Sequence, residues 1–214
     1  MNILITGANR GIGKGLADAY QAQGHTVWAT SRGAEGGMAL DVTDPAAHQQ
    51  LAAHLDGQVV DLLICNAGVY LDKGEALDTG YAPEIWAQSF AANVTGVFLT
   101  VQALLPNLRR AAEPKIAIIS SQMGSSTRAG GSSLVYRSSK AAVLNLGLNL
   151  SEALASDNIA IGIYHPGWVR TDMGTSSASI SVEEAVEGLT SRFAALSMNT
   201  TGCFENWDGR PHPI

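Results

Sequence analysis

The chain has 214 residues, a mass of 22.3 kDa and a formal net charge of -6, with 46% hydrophobic and 15% charged residues. This composition excludes a disordered chain, and the length fits one domain with a sizeable core. The negative charge and the lack of a basic cluster argue against nucleic acid and anionic membranes as partners.

The cellular setting follows from what the sequence lacks. No apolar run approaches the length of a membrane span, and no basic segment with a cleavage site indicates a signal peptide. The two cysteines, Cys65 and Cys203, give neither a disulfide framework nor a metal-ligand spacing, so we expect reduced thiols and no metal site. We therefore expect a cytoplasmic protein.

The first predicted unit is a strand, a glycine turn and a helix. Residues 2–6 are apolar, the turn is Gly7-Ala8-Asn9-Arg10-Gly11-Ile12-Gly13, and an amphipathic helix follows over about 12–23. Glycines let the backbone approach a ligand, and a helix N-terminus attracts phosphate. The spacing is G-x-x-x-G-x-G and not the G-x-G-x-x-G of the usual dinucleotide fingerprint. A phosphate site is favoured over the alternative of a merely tight loop.

The second predicted strand, residues 25–30, ends at Ser31 and Arg32. Dinucleotide folds place an acidic residue near this point for the ribose 2′-hydroxyl, or an arginine for a 2′-phosphate. This chain has no carboxylate here, and Arg10 in the glycine turn adds a second positive charge. NADP is therefore predicted in preference to NAD; the alternative is that both arginines are ordinary surface charges.

Strands and helices alternate along the rest of the chain. The predicted elements are a glycine-rich link (33–37), a short strand (38–42), a helix capped by Thr43 or Asp44 (to about 55), a strand (59–65), a loop (69–82), a long helix bent near Pro106 (83–112), a strand (116–120), a loop (124–133), a helix (to about 156), a strand (159–164), a loop (to 179), a helix (182–196) and an edge strand (202–204).

This alternation predicts an α/β fold, a single Rossmann-type, doubly wound parallel sheet of about seven strands flanked by helices. Ligands bind such sheets outside the carboxyl ends of the strands. The glycine turn, Asn66-Ala67-Gly68, Ser121 and Pro166-Gly167 all fall at predicted carboxyl ends. Their coincidence predicts one binding crevice.

Tyr136 and Lys140 are four residues apart in a predicted helix and so share one face. A lysine ammonium near a tyrosine favours the phenolate, which tunes the phenol for proton transfer near neutral pH. The same spacing occurs by chance in helices where the tyrosine packs and the lysine is solvated. The pair gains weight from the motifs around it.

Together these residues resemble the short-chain dehydrogenase/reductase family. The matching motifs run in the family's order: Thr6 to Gly13, Asp41-Val42, Asn66-Ala67-Gly68, Asn93, Ser120-Ser121 with Gly124, Tyr136-x-x-x-Lys140, and Pro166-Gly167 with Thr171. The resemblance implies a nicotinamide cofactor and hydride exchange with a small carbonyl or alcohol substrate. The run from Trp168 to Met173 and the segment Trp207-Asp208-Gly209 resemble a compact C-factor-like branch.

The resemblance also implies roles for the catalytic residues. Tyr136 exchanges the proton, Ser121 hydrogen-bonds the reacting oxygen, and Lys140 lowers the pKa of Tyr136 and binds the nicotinamide ribose. Asn93 holds a water that feeds protons through Lys140; alternatively it is a helix amide bonded to nearby backbone. The expected cofactor-binding residues are Gly7, Asn9, Arg10, Gly11, Ile12, Gly13, Ser31, Arg32, Asp41, Val42, Asn66, Ala67, Gly68, Tyr136, Lys140, Pro166, Gly167, Val169 and Thr171.

Several alternatives stay open from the sequence. Asp41 is either an adenine contact or a helix-entry residue, and Thr171 is either a cofactor contact or a helix N-cap. Ser120 is less suited than Ser121, and His165 is favoured as a structural histidine. The loop after Met173 looks trimmed, which suggests an open site.

The family forms homodimers or homotetramers through the helices of Asn93 and Tyr136, which this chain is expected to share. A competing function is an NAD(P)-binding sensor or signalling protein with little turnover. A pure binder needs none of Ser121, Tyr136 and Lys140, so their presence favours an enzyme.

Overall fold

In the computed structural model, which describes residues 1–33, 37–174 and 177–214, seven strands form one parallel sheet. The strands are Asn2–Thr6 (β1), Thr26–Ser31 (β2), Met38–Ala39 (β3), Leu62–Cys65 (β4), Lys115–Ile119 (β5), Ala160–His165 (β6) and Cys203–Asn206 (β7). Their order is β3-β2-β1-β4-β5-β6-β7, and every neighbouring pair is parallel. The predicted Rossmann-type, doubly wound fold is confirmed.

Six α-helices connect these strands within the described residues. They are Gly11–Ala22 (α1), Pro45–His54 (α2), Pro83–Phe90 (α3), Gly96–Leu108 (α4), Leu134–Ala153 (α5) and Val182–Ala195 (α6). The predicted cap of α2 is Asp44, whose carboxylate accepts a hydrogen bond from Ala46 N at 2.8 Å. Residues 34–36 of the predicted glycine-rich link lie outside the described residues.

The core occupies both faces of the sheet because side chains alternate along each strand. From β1, Leu4 points into a cluster with α2, α4 and α5, whereas Ile3 and Ile5 point into a cluster with α1 and α6. Leucines of α5 also pack on the sheet: Leu144 is buried with Ile163 and Phe204, and Leu146 and Leu150 pack against the cluster that contains Leu4. These leucines serve the sheet.

The long helix predicted over 83–112 is wrong in its regularity and its end. Residues Ala91–Thr95 form a π-helical turn between α3 and α4, so the irregularity lies at Asn93 and not at Pro106, which α4 contains. Gly96, the first residue of α4, lies close to the backbone of Val42: a Cβ on Gly96 would be 2.8 Å from Val42 O. The helix ends at Leu108, where the Asn107 amide donates to the carbonyl oxygen of Leu55 at 2.6 Å.

The continuous helical stretch Pro83–Leu108 is long and apolar enough to cross a membrane by length and composition, although the sequence predicts no such span. Its apolar character has a local explanation in the structure. Val97, Val101, Leu104 and Leu108 are all buried in the core beside the sheet.

The order in which successive strands join the sheet reverses between β1 and β4. The chain runs outward from β1 through β2 to β3 and returns to the other side of β1 as β4. Such a switch point opens a crevice between the carboxyl ends of the two strands. The glycine turn after β1 and Asn66-Ala67-Gly68 after β4 are thereby brought opposite each other.

Candidate active site

A cavity of about 930 Å³ opens at the carboxyl ends of the strands. Most of the predicted cofactor-binding residues line it: Gly7, Asn9, Arg10, Gly11, Ile12, Gly13, Ser31, Arg32, Asp41, Val42, Asn66, Ala67, Gly68, Tyr136, Lys140, Pro166 and Thr171. Four predicted site residues are not among those lining it: Asn93, Ser121, Gly167 and Val169. The cavity thus joins the glycine turn to the tyrosine–lysine pair.

The glycine turn needs its glycines for two reasons. Gly7 and Gly11 have φ angles of +67° and +54°, in the left-handed region that side chains disfavour. A Cβ on Gly13 would lie 2.3 Å from the carbonyl oxygen of Gly7, too close for any side chain. Arg10 provides no side-chain cap for α1, and the first turn holds no acidic residue. The N-terminal end of α1 therefore fits a phosphate group.

Asn66 links the two walls of the crevice. Its amide nitrogen donates to the carbonyl oxygens of Thr6 and Gly7, both at 3.0 Å, and the Thr6 hydroxyl accepts from the backbone N–H groups of Asn66 and Ala67. These bonds lock the turn after β4 onto the end of β1. The structural contribution of this turn is therefore substantial, beside any contact with a cofactor.

The end of β2 carries a buried hydroxyl with unused bonding capacity. Ser31 is 4% exposed, and its oxygen has no hydrogen-bond partner among the described residues. Buried polar atoms are normally paired, so this one is available to a ligand in the cavity. The neighbouring Arg32 is exposed. Arg10 forms an ion pair with Asp172 across the mouth of the cavity.

The structure bears on two alternatives left by the sequence, those for Asp41 and Thr171, and the role of Asp41 stays open. The Asp41 carboxylate accepts hydrogen bonds from the backbone N–H and hydroxyl of Thr43, which lower the pKa of Asp41. Ser181, and not Thr171, caps the last helix. The methyl group of Thr171 instead lies against the glycine turn, 3.3 Å from the position of a Cβ on Gly11.

Gly167 and Val169 are not among the residues that line the cavity. Gly167 has a φ of +89°, and a Cβ there would lie 2.4 Å from Ile180. Val169 is 4% exposed and pairs with Ile180. Both residues shape the segment after β6 and do not line the cavity.

Tyr136 and Lys140 lie at the inner end of the cavity on α5, with exposures of 8% and 5%. Ser121, which follows β5, lies near the Tyr136 hydroxyl and lowers its pKa. The Lys140 ammonium donates to the carbonyl oxygen of Ile119 at 3.0 Å. The Ser120 hydroxyl donates to the carbonyl oxygen of Lys140 at 3.0 Å, so Ser120, which also lines the cavity, holds α5.

The side chain of Asn93 makes three hydrogen bonds with protein groups. Its oxygen accepts from Val69 N at 2.8 Å, and its nitrogen donates to Val69 O at 2.9 Å and to the Ser139 hydroxyl at 3.0 Å. This arrangement matches the alternative of an amide bonded to nearby backbone. Through Ser139, which donates to the carbonyl oxygen of Tyr136 at 2.8 Å, Asn93 braces the helix of the tyrosine.

The pKa values of the pair differ from the expectation that Lys140 lowers the pKa of Tyr136. Burial raises the pKa of Tyr136 to about 12, although the nearby Ser121 side chain lowers it in part. Burial lowers the pKa of Lys140 to about 8. Both shifts have one cause, because a buried site disfavours the charged form of each group.

Three residues near Tyr136 are not predicted from the sequence as site residues: Tyr70, Asp72 and Ser133. The Tyr70 ring stacks on the Tyr136 ring with centroids 4.3 Å apart, and its hydroxyl is hydrogen-bonded to Ser133 at 2.5 Å. The carboxylate of Asp72 accepts from the backbone N–H groups of Val135 and Tyr136. Contacts over 60 residues of sequence leave no local pattern, so spacing could not have found them.

His165 ends β6 as a buried residue and is not among the residues that line the cavity. Its ring packs edge-on against His212 with centroids 6.0 Å apart. Burial lowers its pKa to about 4, and the nearby His212 adds to the shift.

Known proteins of similar sequence and fold give this site a context. The chain is 34% identical to C-signal of Myxococcus xanthus over 155 residues, which are 72% of this chain and 92% of C-signal. It is 30% identical to the 3-oxoacyl-(acyl-carrier-protein) reductase FabG of Escherichia coli (strain K12) over 185 residues, which are 79% of this chain and 74% of FabG. The assignment to a C-factor-like branch stays a prediction.

Solved structures agree with this likeness. An NADPH-bound carbonyl reductase from chicken fatty liver is 31% identical and superposes with a TM-score of 0.90, over 100% of this chain and 98% of that one. The family model described as short chain dehydrogenase matches residues 1–180. The chain belongs to the short chain dehydrogenase family and is an NAD(P)-dependent oxidoreductase.

Proposed function

We propose that the protein is an NADPH-dependent carbonyl reductase that also oxidises the corresponding alcohols, with Ser121, Tyr136 and Lys140 as its catalytic residues. The observation that carries the proposal is the position of Tyr136. Its buried phenol lies near Ser121 and lines the same cavity as the glycine turn. A proton donor and a nucleotide site thus share one crevice.

When bound, the nicotinamide supplies the hydride that adds to the carbonyl carbon. Tyr136 donates its phenolic proton to the carbonyl oxygen in reduction and takes a proton back in oxidation. The Ser121 oxygen already accepts from Met123 N at 3.1 Å, so its own hydrogen can be donated to the reacting oxygen.

Lys140 contributes charge and hydrogen bonds. One of its three N–H groups is used by Ile119 O, which leaves two for a ribose hydroxyl in the cavity. With a pKa of about 8 the side chain is mostly charged at pH 7. A cationic neighbour favours the phenolate that Tyr136 forms as it gives up its proton.

The preference for NADP rests on the end of β2. The unpaired hydroxyl of Ser31 and the exposed side chain of Arg32 both line the cavity, and Arg10 brings a second guanidinium to its mouth. Hydroxyl and guanidinium donors suit a 2′-phosphate better than a bare 2′-hydroxyl. The likeness to a carbonyl reductase solved with NADPH supports the same choice.

Exposed apolar side chains at the cavity favour an uncharged, apolar substrate. Leu71 and Met173 line the cavity and expose 39% and 42% of their surface. Trp168 does not line it; its indole N–H donates to Gly174 O. Exposed apolar side chains around a cleft are typical of contact with an apolar ligand.

We further propose a cytoplasmic homodimer or homotetramer, for which the exposed Phe98 on α4 offers contact surface.

The test is turnover of NADPH and of NADH against a panel of aromatic aldehydes, aliphatic ketones and quinones. We expect NADPH turnover with at least one apolar carbonyl compound. Tyr136→Phe should lower kcat at least 100-fold while the Kd for NADPH changes little, since the phenol supplies the proton and not the binding energy. Tight NADPH binding without turnover on any substrate would favour the sensor function.

A further inference from the structure

Asp72 is a carboxylate with no exposed surface in the loop after β4. No lysine, arginine or histidine of the described residues lies within ion-pair distance of it. Its partners are backbone N–H groups: Val135 N at 2.8 Å and Tyr136 N at 3.2 Å. A buried carboxylate is costly unless such bonds satisfy it.

These two donors are special because of their place in α5. The residue before the helix is Ser133, and its side chain makes no cap. Val135 and Tyr136 are therefore the second and third residues of α5, whose N–H groups an N-cap side chain normally satisfies. Asp72 performs that capping from a segment more than 60 residues earlier, and its charge suits the positive end of the helix.

Further contacts fasten the same loop to the start of α5. Ser133 has a φ of +56°, outside the usual region for its type. Its N–H donates to the Tyr81 hydroxyl at 3.1 Å, and its own hydroxyl is bonded to Tyr70. Tyr70 in turn stacks on the ring of Tyr136. The loop thus holds both the backbone and the ring of the tyrosine.

We propose that Asp72 is a positioning residue for Tyr136, which caps α5 from the loop after β4 and holds the phenol against Ser121 with a negative charge beside it. This inference rests on the proposed function of Tyr136 as the proton donor and acceptor. It adds a residue that touches neither cofactor nor substrate.

The charge has a consequence that a purely structural cap would lack. Burial raises the pKa of Tyr136 most, the nearby Ser121 side chain lowers it, and Tyr70 and Asp72 each raise it further. Lys140 is the cationic group that faces the ring, with its nitrogen 5.7 Å from the centroid. Removing the Asp72 charge should therefore lower the pKa of Tyr136.

The test is the pH dependence of kcat/KM for Asp72→Asn, in which an amide oxygen can still accept the two hydrogen bonds. We expect the midpoint assigned to Tyr136 to move to lower pH by about 0.5 to 1 unit. Carbonyl reduction, which needs the protonated phenol, should then decline at lower pH. Alcohol oxidation, which needs the phenolate, should begin at lower pH. A lower plateau with an unmoved midpoint would overturn the proposal.

Asp44→Asn is the matched control, because Asp44 also caps a helix but is exposed at the start of α2. It should leave the midpoint where it is. Asp72→Ser provides a second uncharged cap in case the asparagine variant does not fold. In the unaltered protein, the amide protons of Val135 and Tyr136 should be protected from hydrogen exchange; rapid exchange would also contradict the proposal.

Failure of this inference differs from failure of the proposed function. If Tyr136→Phe keeps its turnover, the tyrosine is not the proton donor and the proposed function fails. If Tyr136→Phe is inactive but Asp72→Asn leaves the midpoint unmoved, the proposed function stands and the role of Asp72 alone is wrong.

Discussion

The ammonium nitrogen of Lys140 lies 5.7 Å from the centroid of the Tyr136 ring. Both side chains are almost completely buried, and burial moves their pKa values in opposite directions, to about 8 for the lysine and about 12 for the tyrosine. Burial thus shifts the proton equilibrium of each group toward its neutral form, although Lys140 is still mostly charged at pH 7. This arrangement predicts how stability responds to pH.

The free energy of unfolding should rise as the pH increases from 8 toward 10. The pKa of Lys140 is about 8 when folded and 10.5 for the free side chain, so in this window the unfolded chain binds the proton that the folded protein has released. The full effect over that interval is about 3 kcal/mol. Urea unfolding of the wild type and Lys140→Met at pH 7.5, 8.5 and 9.5 measures it, and the rise should be missing in the variant.

Lys14→Met is the control for that experiment, since Lys14 is exposed and paired with Asp18 on the surface of α1. Its stability should follow the wild-type pH dependence. Parallel curves for the wild type and Lys140→Met would show that Lys140 keeps an ordinary pKa in the folded protein.

A second prediction concerns the ion pair of Arg10 with Asp172 at the cavity mouth. If Arg10 binds the 2′-phosphate, Asp172 competes for it, so Asp172→Asn should tighten NADPH binding by about twofold to fivefold, the scale of an exposed ion pair. NADH binding should not change, because NADH lacks that phosphate. Fluorescence titration at two salt concentrations measures both constants. Equal changes for the two cofactors would place Arg10 away from the 2′-phosphate.

The sequence predicts the sheet and the cavity well because their signals are local. Buried parallel strands are continuous apolar runs, as at Leu62–Cys65. The glycine turn and the spacing of Tyr136 and Lys140 are each set within a few residues. The carboxyl ends of parallel strands then bring these motifs together without further information.

The sequence does not predict what long-range packing decides. Asp72 meets Val135 and Tyr136 across more than 60 residues, and no periodicity links these positions. The π-helical turn over Ala91–Thr95 interrupts a helix whose apolar pattern is continuous. The raised pKa of Tyr136 depends on burial, which is a property of the folded structure.

A third prediction compares two glycines. A Cβ on Gly13 would lie 2.3 Å from Gly7 O and 2.4 Å from the Asn66 amide nitrogen, whereas Gly131 has nothing within 4 Å. Gly13→Ala should therefore lower the free energy of unfolding by about 2 kcal/mol or more and weaken NADPH binding, because the crevice wall must shift. Gly131→Ala should stay within about 1 kcal/mol of the wild type. Urea unfolding and NADPH titration measure both, and similar losses in the two variants would contradict the packing.

The last prediction concerns His165, which is buried. Burial lowers its pKa to about 4, His212 and Arg128 lower it further, and Asp208 partly opposes them. Its ordinary pKa is 6.5, so between pH 6.5 and 4 the unfolded chain binds a proton that the folded protein does not. The free energy of unfolding should therefore fall over that window, by up to about 3 kcal/mol from this group.

His165→Asn should remove that part of the fall, whereas the exposed His54 should be replaceable by asparagine without effect on the slope. The readout is urea unfolding at pH 4.5, 5.5 and 6.5, where carboxylates titrate equally in all three proteins. An unchanged slope in His165→Asn would mean that the buried imidazole takes up its proton without unfolding.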